Sequence, residues 1–281
     1  MIRRTKLSFI LIFLISFNAY AQEKTSSAFS LSSGKNLQAE GSESNPRTEK
    51  IQDANVTKQR GGFVVAAYLG AAKTAPTDLA ISQPVLNTDL TFQDVRLASR
   101  SFDPPLYYGY RAGYFFPQLP FLGVEAEFIH LKVYSNPQQR VRAAGVRRGA
   151  PVNGEIRLGD VVQQYSISHG ANFLLFNAAA RHGFFHADAN RNRLVLTARA
   201  GIGPTIPHTE SNIEGNQQGQ YETGRLGWQL AGASELKLFR GLYALGEYKY
   251  TQTRQRGKIF SGTAQSFLRT HHGVFGLSYH F

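Results

Sequence analysis

The sequence predicts an all-β protein, an eight-stranded antiparallel transmembrane up-and-down β-barrel. Two observations carry that expectation. From Gly61 onward, segments of about ten residues alternate between apolar and small or polar side chains, the length and period of a strand that crosses a bilayer at a tilt. Within those segments the charges share a face with glycine and the aromatics take the other, as in a barrel whose outside meets lipid. A soluble barrel would reverse the two faces. The composition points the same way: 281 residues include 20 Phe and 13 Tyr against one Trp, with 27 Gly and no Cys.

The first strand is expected at 61–72 (GGFVVAAYLGAA). In 107–116, Tyr108, Tyr110, Ala112, Tyr114 and Phe116 oppose Gly109, Arg111 and Gly113. A short PQLP turn leads to 121–134, where Val124, Ala126 and Phe128 oppose Glu125 and Glu127. The fourth strand spans 165–181. The fifth, 194–207, sets Leu194, Leu196, Ala198, Ala200 and Ile202 against Thr197, Arg199, Gly201 and Gly203. The sixth, 225–239, points Leu226, Trp228 and Leu230 outward, with Gln229, Glu235 and Lys237 inward. The seventh, 242–253, points Ala244, Tyr248 and Tyr250 outward, with Glu247 and Lys249 inward. The eighth, 267–281, carries Phe275, Leu277, Tyr279 and Phe281 toward lipid. The joins at 117–120 and 239–241 are very short and 182–193 is moderate, whereas 73–104, 135–164, 208–224 and 254–266 are longer. Short periplasmic turns and long extracellular loops are what such barrels show. In a barrel of eight strands the inward charges form a paired core rather than line a channel.

The N-terminal residues read as a signal peptide over 1–21: Arg3, Arg4 and Lys6, then the apolar run Leu7 to Phe17, then Ala19-Tyr20-Ala21. Residues 22–60 are polar, Ser-rich and unpatterned, a disordered periplasmic leader with too little apolar surface to offset ordering entropy. The barrel domain is therefore expected at 61–281, in the cell outer membrane and as a monomer. The net charge of +12 suits an acidic partner. Export excludes nucleic acid and leaves a phosphate-bearing lipid surface.

Threading eight strands places five histidines at the outer rim: His130, His169, His208, His271 and His272. Glu210, Asn172, Lys132 and Tyr134 fall near the first of them. Imidazoles and a carboxylate at one rim suit a divalent metal or acid–base chemistry. The candidate catalytic set is His130, His169, His208, Glu210 and His271. The segment 135–164 is basic, and Arg140, Arg142, Arg147 and Arg148 are candidate ligands for the phosphates of an outer-leaflet lipid. G-x-S-x-G and H-E-x-x-H motifs are absent. Ser166 or Ser168 beside His169 would make a nucleophile–base pair only against the rule that adjacent strand residues face opposite ways.

Several segments together resemble the lipid A oxidases, outer-membrane barrels that oxidise the proximal glucosamine of lipid A to aminogluconate with oxygen. They are PPLYYGYRA (104–112), FIHLKVYS (128–135), SHGANFLLFNAAAR (168–181), AGIGPTIPHTE (200–210), GEYKYT (246–251) and THHGVFGLSYHF (270–281). The resemblance implies an oxidoreductase acting on a lipopolysaccharide reached sideways from the outer leaflet. Its segments include His130, His169, His208, Glu210 and His271. The same scaffold hosts non-enzymatic barrels, so a porin-like or a structural and adhesive surface protein is the alternative expectation. The spacing G-x-x-Y-x-F from Gly276 resembles the C-terminal signal read by the barrel assembly machinery, which it implies as a partner.

Overall fold

The computed structural model describes residues 60–188 and 191–281. The expected signal peptide and the leader up to residue 59 lie outside the described residues. In chain order the strands are β1 (Gly62–Thr74), β2 (Thr77–Gln83), β3 (Thr88–Val95), β4 (Leu97–Ala98), β5 (Tyr108–Phe115), β6 (Leu122–His130), β7 (Val133–Ser135) and β8 (Arg140–Arg147). They continue with β9 (Ala150–Arg157), β10 (Val162–Asp188), β11 (Arg191–Ile213), β12 (Asn216–Tyr221), β13 (Leu226–Phe239), β14 (Leu242–Ile259) and β15 (Gly262–His280).

Eight of these close the barrel in the order β1-β5-β6-β10-β11-β13-β14-β15, and β15 pairs back with β1. Each of the eight overlaps one expected strand, and every pairing around the ring is antiparallel. The third, expected over 121–134, ends at His130, with Val133–Ser135 forming the separate β7. The faces are as the alternation requires. Phe63, Tyr110, Val124, Phe176, Ile202, Tyr248 and Phe275 are exposed on the outside, forming an apolar and aromatic belt with no counterpart inside. An apolar band of this kind, on the outside of a closed ring, is that of a β-barrel set in the outer membrane.

The interior at the level of the belt is a neutral network of three cations and three carboxylates. Arg111 reaches Glu127 at 3.0 Å, Glu247 at 2.9 Å and Glu125 at 3.6 Å. Arg199 reaches Glu125 at 2.7 Å, and Lys249 bonds both Glu247, at 2.7 Å, and Glu127. Glu127 also accepts from the Tyr68 hydroxyl at 2.6 Å, from Asn177 Nδ2 at 3.0 Å and from Gln229. Each charge has an opposite partner, which is what makes six buried charges tolerable.

The long joins are strands, not loops. Segment 73–104 holds β2, β3 and β4; 135–164 holds β8 and β9; 208–224 holds the end of β11 and β12; 254–266 holds the tops of β14 and β15. The moderate join 182–193 is likewise strand on both sides, β10 ending at Asp188 and β11 beginning at Arg191. The physical reason is a change of solvent along each strand. Above the belt the outer face meets water, so β14 turns from Tyr248 and Tyr250 outward to Arg254, Arg256 and Lys258 outward. The inner face becomes apolar in exchange: Leu79, Ile81, Leu90, Phe92, Val141, Tyr165, Ile167, Ile213, Ile259 and Leu268 form a buried core above the charged layer. A search for lipid-facing apolar residues passes over strands whose alternation has inverted.

Candidate functional site

The rim site is created by a bulge in β10. The ladder between β10 and β11 pairs Ile167 with Thr209 and then Ala171 with Pro207, so Ser168, His169 and Gly170 stand opposite His208 alone. Such an insertion breaks the period of two and re-aims side chains. Gly170 permits it, with φ of +96°. A methyl group there would overlap Asn172 Oδ1 and the His130 ring. On β11, His208 and Glu210 lie two residues apart and share the outward face, while Thr209 and Ser211 are buried inward.

Three ligand atoms converge. His169 Nδ1 lies 3.1 Å from His208 Nδ1, and Glu210 Oε1 lies 3.4 Å from the first and 3.5 Å from the second. A metal bound to N and O donors at about 2.1 Å spaces its ligands by about 3.0–3.4 Å in octahedral or tetrahedral geometry. The His169, His208 and Glu210 donors therefore fit a divalent metal, and they are the group among the described residues able to hold one. Two histidines and one carboxylate form the donor set of the facial triads that bind non-haem iron(II). The two imidazoles meet edge to face at 4.5 Å, and Tyr221 of β12 packs 4.4 Å from the His208 ring.

Ser168 Oγ sits 3.1 Å from His169 Nδ1 and 3.5 Å from His208 Nδ1. The bulge thus places neighbouring residues on one side, against the strand rule that would separate them. A serine triad is not formed, because a triad uses opposite nitrogens of one imidazole for serine and carboxylate. Here Ser168 and Glu210 both address Nδ1 of His169. Ser166 is fully buried.

His130 ends β6 beside this cluster and is tied to it through Asn172. Asn172 Nδ2 donates to the carbonyls of His169 and Ile206, both at 3.2 Å, which fixes Oδ1 as an acceptor. His130 Nδ1–H donates to that oxygen at 2.8 Å. The tautomer leaves His130 Nε2 as a lone pair, buried and without a partner. Tyr108 stacks on the same ring at 5.0 Å.

His271 does not join the group. It lies on β15, where its Nδ1 meets the Tyr248 hydroxyl at 2.6 Å and its ring sits 5.1 Å from Tyr250. Around the ring, β13 and β14 separate it from β11. His272 faces inward, held by Tyr107 at 3.0 Å and Thr251 at 2.8 Å. The four candidate arginines are spread along the β8–β9 hairpin. Arg140 pairs with Glu155 at 2.9 Å, Arg142 Nη2 donates to Asn153 at 3.3 Å, and Arg147 and Arg148 both clamp Glu214 at 2.7 Å. Arg142 and Arg147 are about 17 Å apart along the strand, so the four do not form one compact cluster. Sequence reasoning missed Tyr221, because NQQGQY shows no apolar alternation, and it read Ser168 by the parity of a regular strand.

The fold defines the class of protein: an eight-stranded outer-membrane β-barrel with an ordered extracellular sheet. No protein-family model matches the chain, and no curated protein matches it. Among solved structures, the chain is similar to Neisserial surface protein A, with 12% identity, a TM-score of 0.35, and coverage of 78% of this chain and 97% of that one. It is also similar to the attachment invasion locus protein Ail of Yersinia pestis, with 6% identity, a TM-score of 0.29, and coverage of 77% and 99%. The outer membrane protease OmpT of Escherichia coli gives 8% identity, a TM-score of 0.33, and coverage of 78% and 97%.

Proposed function

We infer that this barrel is an outer-membrane enzyme that modifies lipid A from the outer leaflet, oxidising its proximal glucosamine with oxygen. The observation that carries the reading is the convergence of His169, His208 and Glu210 on the outward face, directly above lipid-facing Leu174, Phe176 and Ile206. A ligand set at that height faces the sugar of an outer-leaflet lipid whose chains lie against the belt. The chemistry balances as glucosamine plus oxygen and water giving aminogluconate and hydrogen peroxide, a two-electron oxidation at the anomeric carbon.

His169, His208 and Glu210 would hold the divalent metal, which when bound supplies a Lewis acid and, as iron, a partner for oxygen. The chain's own residues have separable tasks. His130 is a positioning residue: buried and held by Asn172, its ring packs against Gly170 and braces the bulge that carries His169. Arg140 and Arg142, at the end of β8 away from the Glu214 clamp, are the phosphate ligands of the original four that remain available.

The test is the mass of lipid A from aerated cells with and without the gene, together with the metal content of the purified protein. A gain of one oxygen atom that disappears with His208→Ala, and one metal per chain lost in the same variant, supports the reading. Unchanged lipid A contradicts the oxidation. As the second reading, a non-enzymatic surface barrel is favoured by the extracellular sheet, in which β9 forms an open edge. It predicts no lipid phenotype for His130→Ala, His169→Ala or His208→Ala.

A further inference from the structure

We propose that the outward face of β14, β15 and β1, above the aromatic belt, is a second lipid site that grips the phosphorylated saccharide headgroup of an outer-leaflet glycolipid. Lys73, Arg254, Arg256, Lys258 and Arg269 are all exposed on this sector, and His271 lies at its lower edge. The strand register brings them together: Lys73 is the partner of His271, Gln252 of Arg269, and Tyr250 of His271. Tyr248 and Tyr250, at the top of the lipid-facing belt, lie immediately below. The patch therefore begins where acyl chains give way to headgroups.

None of these five cations takes part in an ion pair among the described residues. Arg254 lies over the Phe267 ring at 5.7 Å, and Arg269 donates to the Pro76 carbonyl at 3.1 Å. Two carboxylates lie nearby without forming an ion pair to these cations: Asp78 accepts from Asp94 N–H at 3.1 Å, and Glu222 Oε1 from Lys258 N–H at 2.9 Å and from Gln220 Nε2 at 3.0 Å. Like charges at i, i+2 and i+4 on one strand face repel one another, so a bound anion would relieve the repulsion among Arg254, Arg256 and Lys258.

Height selects the occupant. Three adjacent strands span about 10 Å across the barrel surface, and Arg254 to Lys258 covers about 14 Å along the strand. With a strand tilt of about 40°, that is about 10 Å above the first arginine. The phosphates of a phospholipid lie in one plane and reach only the lowest cations. A saccharide headgroup with phosphates at more than one level reaches the upper ones too. The site does not rest on the function proposed above, because β13 on one side and β5 and β6 on the other separate it from His169 and His208.

The full-length barrel is reconstituted with three lipids in turn: bisphosphorylated lipid A, its dephosphorylated form, and phosphatidylglycerol. Native mass spectrometry then reads the lipid retained after extraction. Wild type is expected to keep bisphosphorylated lipid A in preference to the other two. Arg254→Gln combined with Arg256→Gln and Lys258→Gln is expected to lower that retention about tenfold or more, while the Arg254→Lys, Arg256→Lys, Lys258→Arg protein keeps it. His208→Ala also keeps it, which separates this site from the proposed enzyme site. Heat-shifted migration on a gel verifies that each variant is folded; should the triple variant not fold, the three single variants are read instead, with losses of about threefold each. Equal retention by the glutamine variants, or equal retention of phosphatidylglycerol or of dephosphorylated lipid A, overturns the proposal.

Discussion

Gly170 decides whether Ser168 and His169 share a face with His208. With any side chain, φ of +96° is strained and the new carbon meets Asn172 and His130. Gly170→Ala should therefore leave the barrel assembled but weaken metal binding at least tenfold, which calorimetric titration of the purified protein measures. A second residue-scale prediction concerns Arg111, the cation that touches Glu125, Glu127 and Glu247 of the buried network. Arg111→Met leaves an uncompensated carboxylate and should cost about 3–5 kcal/mol. The readout is a lower temperature for the heat-induced shift on a gel. Sequence alone separated these two cases poorly. The inward parity of Arg111, Glu125, Glu127 and Glu247 was legible, because charges on the glycine face have only the interior to go to. The meeting of His169 with His208 was not, because a bulge is a break in the period and leaves no periodic trace; the Ser-His-Gly run is its one local sign.

At the scale of elements, the β8–β9 hairpin is fastened to the tip of β11 by Glu214, which accepts from Arg147 and Arg148. Burial alone would raise the Glu214 carboxyl, but the two arginines outweigh it and hold its pKa below the ordinary value of 4.5. A carboxyl depressed by folding contributes stability above its unfolded pKa and loses it as pH falls through the lower folded value. The hairpin should thus be protected at neutral pH and lose that protection progressively as pH falls below the ordinary carboxylate range. Hydrogen exchange at residues 140–157 tests this, and Glu214→Gln should give the acid pattern at pH 7. The sequence marked this hairpin only as basic. Its strands escaped notice because their outward faces carry arginine, not aromatics, and because Arg147 and Arg148 meet Glu214 across 66 or more residues of chain.

At the scale of the molecule, two layers fill the barrel: the charged network in the membrane and an apolar core above it. They occupy the interior at successive heights. Reconstituted into a planar bilayer, the protein should show no steady conductance, and a persistent open level would contradict the packed interior. Both proposed sites lie on the outside of the barrel, the His169–His208–Glu210 cluster and the cation sector of β14, β15 and β1 on different sides. The eight-strand count and the rim placement of the histidines were available from alternation and join length. Which histidines meet required the ladder between β10 and β11.

The measurement that bears most directly on the central claim is the mass of lipid A with a free anomeric hydroxyl, recovered from vesicles after aerobic incubation with the purified, iron-loaded barrel. The account predicts a product heavier by one oxygen atom, formed with hydrogen peroxide, absent without oxygen, and absent with Glu210→Gln or His208→Ala. Lipid A of unchanged mass with the wild-type protein, or oxidation undiminished in both variants, would contradict it.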